Sequence, residues 1–132
     1  MSSIIPEKFA DLLASTAMAH IATIGPKGEP QSSPVWFGWD GEFLRFGQLV
    51  GSDRKRRNLE REPRIAISLT DPADPYRYLE VRGTVERIEP DVDNAFIDAM
   101  AQKYWGKPRY DGEGADAEFV VVVIRPERAT GQ

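Results

Sequence analysis

The stretch QSSPVWFGWDGEFLRFGQ, residues 31–48, decides the fold class. From about Gln31 to Trp39 the residues suit a strand: Val35, Phe37 and Trp39 share one face, while Pro34, Trp36 and Gly38 share the other. Asp40-Gly41 is a strong two-residue hairpin signal, and EFLRFGQ returns beside the first strand. A tight turn between two such segments makes them antiparallel neighbours.

Working outward, MAHIATI at 18–24 is a further strand, separated from the hairpin by the turn-rich PKGEP. Ahead of it, PEKFADLLA at 6–14 places Phe9, Leu12 and Leu13 on one face of a short helix with Pro6 in its first turn. On the other side, Ser52 is a good N-cap for a helix running to Glu60, and Pro63 stops it before the strand RIAISLT. DPADP turns the chain into YRYLEVRGTVERI, long enough to bend at Gly83 and serve two parts of a curved sheet. Pro90-Asp91 opens a helix near 91–104 in which Phe96, Ala99, Met100 and Tyr104 follow helical spacing, with Gly106 and Pro108 beyond its end. The apolar run FVVVVIRP is typical of a strand covered on both faces. Six strands without strand-helix alternation predict a mainly β domain, a six-stranded split antiparallel β-barrel.

The chain has 132 residues, enough for one core and one domain over 1–132. It has no cysteine, which removes thiolate nucleophiles and sulfur-based zinc sites. No run of about 18 apolar residues and no secretory pattern at the N-terminus occurs, so a cytoplasmic protein with no membrane span is expected. The only histidine, His20, lies in a strand expected to be buried, which favours a structural role, and no catalytic side chain or metal ligand is nominated.

The formal net charge is -4, yet Arg54 to Arg64 holds six cations against two acids. Such a compact cationic spot on an acidic domain suits a small anionic ligand better than nucleic acid, which draws affinity from many phosphate contacts. A charged, solvated helix pairing with Glu60 and Glu62 is the alternative reading. Trp36, a large apolar group on the less apolar strand face, either lines a pocket or dimer seam or packs under the C-terminal helix.

The order of PVWF at 34–37, RKRRNL at 54–59 with EPR at 62–64, and DPADPYRYLEVRG at 71–83 resembles the pyridoxamine-phosphate-oxidase-like split β-barrels, in particular their deazaflavin-dependent branch. The resemblance spans nearly all of residues 9–88. It implies a homodimer with two cofactor sites at the subunit interface, with Arg54 and Lys55 gripping the cofactor phosphate from a helix near 53–60. It also implies cofactor contacts from Arg57, Asn58, Ser33, Pro34, Val35, Trp36 and Gln48. Gly47-Gln48 departs from relatives, which commonly carry small hydroxyl residues there. The implied cofactor is F420, whose glutamate tail would suit the additional Arg57, Arg61 and Arg64, with FMN the alternative. The implied activity is hydride transfer from reduced F420 to an activated double bond of a small hydrophobic or conjugated substrate. The alternatives are an FMN-dependent pyridoxamine-phosphate-oxidase-like oxidoreductase, or a non-catalytic binder of F420, haem or fatty acid.

Overall fold

The computed structural model describes residues 4–51 and 54–132. Among them are seven strands: β1 Ala19–Ile24, β2 Pro30–Val35, β3 Gly38–Trp39, β4 Leu44–Leu49, β5 Arg64–Asp71, β6 Asp74–Pro90 and β7 Phe119–Gly131. Three helices accompany them, α1 Ala10–Leu13, α2 Arg54–Arg61 and α3 Ala95–Trp105, with 3-10 turns at Glu7–Phe9 and Val92–Asn94. The proposed N-cap Ser52 lies outside the described residues.

All strand pairs are antiparallel, in the order β2-β1-β5-β6-β7-β4-β3. The two edge strands, β2 and β3, are consecutive in the chain and separated only by Trp36 and Phe37. If flat, seven strands would hold the edges roughly 29 Å apart. The link from Val35 to Gly38 can span at most about 11 Å. The sheet is therefore curled until its edges nearly meet, and Trp36-Phe37 is the strap that joins them. This corrects the expected count of six strands: the single strand predicted over 31–39 is two strands on opposite edges. The face assignment nevertheless survives the strap. Phe37 is buried, and Val35 and Trp39 pack against the same core.

The predicted two-residue hairpin is also corrected. Trp39 pairs with Leu44, so the loop spans 40–43. Asp40 Oδ1 accepts the Glu42 and Phe43 N–H groups at 2.8 and 2.7 Å, which favours the wider turn. At Gly83 the β6–β7 register slips, as the predicted bend requires, and a Cβ there would collide with the Arg125 carbonyl.

The barrel interior is filled by Phe9, Phe37, Phe46, Leu12, Ile21, Ile67 and their neighbours. Burying each such side chain contributes about 1.5–3 kcal/mol. α1 closes the end where Ala19, Leu69 and Leu79 stand in register, while α2 closes the end marked by Thr23 and Ile24. α3 lies outside the barrel over β4, where Gly47 leaves room for Phe96 and Ile97. It buries Ile97, Met100 and Ala101, whereas Ala99, expected on the packed face with Phe96 and Met100, is exposed. Asp91 starts this helix by accepting the N–H groups of Phe96 and Ile97 at 2.8 and 2.9 Å. β7 is covered on both faces: Val121, Val122, Val123 and Ile124 are all buried. His20 is exposed, contrary to expectation: along β1 the buried face goes to Ala19 and Ile21, and His20 lies on the other.

Candidate functional site

Leu59 and Asn58 anchor α2 by burial, so the helix presents a fixed set of cations. The Asn58 amide donates to Thr23 Oγ1 at 3.0 Å and to Gln31 Oε1 at 2.6 Å, and its oxygen accepts from Arg61 at 3.0 Å. Arg61 also donates to the Ile24 carbonyl at 2.9 Å. Arg56 pairs with Glu60 at 3.5 Å, and Arg64 forms a two-pronged pair with Glu62 at 2.9 and 3.0 Å. These residues spend their polar capacity inside the fold.

Arg54, Lys55 and Arg57 do not. None of the three has an ion pair or hydrogen bond among the described residues. Arg54 and Arg57 are exposed, whereas Lys55 is partly buried, and burial pushes its ammonium below the ordinary lysine range. Arg54 and Lys55 share a cleft of about 470 Å³ with Gln31, Ser32 and Ser33 of β2. A partly buried cation with no counter-ion among the described residues, beside a second cation and two hydroxyls, is a site suited to an anion.

The same strand leads into a second cleft. Pro34, Val35 and Trp36 line a space of about 290 Å³ with Gly47 of β4, Ile97 and Met100 of α3, and Trp105 and Tyr110. The Trp36 ring stacks on Tyr104 at 5.1 Å and meets Trp105 edge-on at 4.7 Å. Trp36 therefore packs against the C-terminal helix, as one reading expects, and also lines a cleft. The strap carrying it is clamped: Tyr104 Oη accepts the Phe37 N–H at 3.2 Å and donates to the Ala17 carbonyl at 2.7 Å. Lys103 Nζ donates to the Phe37 carbonyl at 2.8 Å and sits 3.9 Å from the Phe37 ring centroid. The Phe37 main-chain groups, with no ladder to join, are satisfied this way. Burial lowers the Lys103 pKa to about 8 and raises that of the Tyr104 phenol.

This molecular arrangement matches known proteins. The pyridoxamine 5'-phosphate oxidase family model matches residues 5–132. The chain belongs to that family. An F420 reductase of solved structure is 40% identical, with 96% of this chain and 98% of that chain covered and a TM-score of 0.85. A conserved hypothetical protein from Mycobacterium tuberculosis is 22% identical over 99% of this chain and 87% of its own, with a TM-score of 0.76. HupZ from Group A Streptococcus is 22% identical over 96% and 93%, with a TM-score of 0.67. The last two show the fold.

Within this oxidoreductase family member, the structure brings Arg54, Lys55 and Ser33 to one cleft and Pro34, Val35 and Trp36 to the next. Arg57 is exposed on α2 and lines neither. Asn58 lies beneath the cationic cleft, with both amide hydrogens spent on Thr23 and Gln31, so it holds Gln31 in place. Gln48 is buried on the opposite side of β4 from Gly47, which is the residue that meets the aromatic cleft. Gln31, Ser32 and Tyr110 were not singled out by the sequence. Ser32 adjoins Ser33 in a strand already under suspicion, but Tyr110 follows a Gly- and Pro-containing loop that carries no periodic signal.

Proposed function

We propose that this protein is an F420-dependent oxidoreductase that passes a hydride from the reduced deazaflavin to an activated double bond of a small hydrophobic or conjugated acceptor. The observation that carries this reading is Lys55, partly buried in one cleft with Arg54, Ser32 and Ser33 and without a counter-ion among the described residues. The 40% identity to an F420 reductase supports deazaflavin over FMN. Arg54 offers a planar fork to phosphate oxygens and Lys55 a point charge, with the Ser32 and Ser33 hydroxyls beside them. Exposed Arg57 is available to further carboxylates, whereas Arg61 and Arg64 are already engaged. When bound, the reduced deazaflavin supplies the hydride. The chain's own work is to bind and orient the reactants and to exclude water, which Trp36, Ile97 and Met100 do at the apolar cleft.

The filled barrel has no room for a tricyclic ring, and both clefts open at the surface. We therefore propose that a second copy completes the site, with a homodimer interface of more than about 2,000 Å² in total. A monomer at micromolar concentration that still binds cofactor would overturn the shared site. The functional test is titration of the purified protein with F420 and FMN under identical conditions. Tighter, salt-sensitive binding of F420 is expected. Equal or tighter FMN binding would replace the reading with an FMN-dependent one, and failure of reduced F420 to be oxidised by any of a quinone and enone panel would leave a binder without turnover.

A further inference from the structure

Gln31 lines the cationic cleft, and a carboxamide there can meet a ligand in either of two senses, as an acceptor or as a donor. The choice is made outside the cleft. Arg61 can only donate; it is held by the Ile24 carbonyl at 2.9 Å and donates to Asn58 Oδ1 at 3.0 Å. A reversed Asn58 amide would set its NH2 group against the guanidinium, donor against donor. Asn58 is 2% exposed, so water offers it no relief. Its nitrogen therefore faces Thr23 and Gln31. The Thr23 hydroxyl can accept or donate and imposes nothing, but Gln31 has to answer with its oxygen, at 2.6 Å.

With Oε1 turned to Asn58, the NH2 group is the polar end of Gln31 that remains, and it has no hydrogen-bond partner among the described residues. Gln31 is half-buried, so a donor left unmet there is partly cut off from water. We propose that Gln31 is a further anion-contacting residue, giving its amide N–H to an oxyanion bound between Arg54 and Lys55, and that Arg61 and Asn58 are positioning residues that set the sense of that amide. The ligand class is an oxyanion presenting an unprotonated oxygen, as a phosphate ester does, because an oxygen carrying its own proton would meet a donor at Gln31. This rests on the anion reading of the cleft given above, and not on which cofactor carries the anion.

The test uses the full chain with inorganic phosphate as the probe. Proton–nitrogen NMR follows the side-chain NH2 signal of Gln31, identified by its loss in Gln31→Leu, together with the backbone amides of Arg54 and Lys55. All three should shift on titration, while the Asn58 NH2 signal, already spent on Thr23 and Gln31, moves least. A Gln31 signal that stays in place while Arg54 and Lys55 respond would overturn the proposal alone; no response from any of the three would remove the anion reading and the proposal with it. In affinity, Gln31→Leu should weaken phosphate about tenfold, the scale of one hydrogen bond to a charged group. The lost donor is neutral, so the salt dependence should persist in Gln31→Leu and lessen in Lys55→Ala. Asn58→Asp tests the sense of the amide: the new carboxylate still accepts from Arg61 but cannot donate, so Gln31 should turn its NH2 group to it and its oxygen to the cleft. In that background Gln31→Leu should improve phosphate binding, a reversal of sign that the added charge alone does not produce. Equal losses from Gln31→Leu in both backgrounds would overturn the positioning roles. Should Asn58→Asp fail to fold, the Gln31 NH2 shift and the affinity of Gln31→Leu decide, and an unchanged affinity there overturns the proposal.

Discussion

The two clefts meet along one strand but are built on opposite terms. At the α2 end, Arg54 and Lys55 hold polar capacity that nothing among the described residues uses. At the α3 end, the hydroxyls of Tyr104 and Tyr110 and the ammonium of Lys103 are all consumed by main-chain groups. Spare charge suits an anion, whereas spent polarity leaves a surface that can offer only shape and apolar area. The contrast also divides α2 itself, because Arg56, Arg61 and Arg64 are engaged while their neighbours are not.

The largest effect should come from breaking the unsatisfied side. Arg54→Ala or Lys55→Ala removes a charge-assisted contact worth roughly 1.5–3 kcal/mol, about 10-fold to 150-fold in affinity for a phosphate-bearing cofactor. Arg56→Ala should change it by less than about 1 kcal/mol, the scale of a solvent-screened pair. Fluorescence titration at fixed ionic strength compares the three; equal losses would turn the grip into a diffuse basic patch.

Next in size is the residue beneath the grip. Asn58→Ala strands the buried Thr23 hydroxyl and half-buried Gln31 and releases the exposed Arg61, and should cost about 1–3 kcal/mol of folding stability by urea denaturation. Unchanged stability with weakened cofactor binding would move Asn58 from support to direct contact.

A third effect is confined to a pH window. Lys103 has a native pKa of about 8, below the ordinary value of 10.5. Between those values the unfolded chain binds more protons than the native one, so this residue's contribution to stability rises with pH. Compared with Lys103→Met, the wild type should gain stability from about pH 8 to 10. A constant difference between the two proteins across that range would show that the Phe37 carbonyl and the aromatic faces hold the charge against burial.

Much of this was legible in the residues, and the gaps have physical causes. Alternation placed Val35, Phe37 and Trp39 inward correctly, because side-chain parity is a local property. It could not reveal that the chain changes sheet edges at Trp36, since both edges share the same period. The cation run pointed to the segment that lines the cationic cleft, but not to which of its members are spent: Glu60, Glu62 and the Ile24 carbonyl settle that only in three dimensions. Tyr110 owes its place to Asp98, 12 residues earlier and on another element.

The strap between β2 and β3 has a consequence for how such a chain can change length over generations. Its parity is shared by the core and the cleft, with Phe37 turned inward and Trp36 turned toward α3. Inserting one residue there would exchange the two faces from that point on, presenting Trp36 to the barrel and Phe37 to the cleft. The turn at Pro72 and Ala73, between β5 and β6, carries no such double duty. Insertions and deletions are thus expected to collect at that turn, while the strap keeps its length even as its side chains diverge.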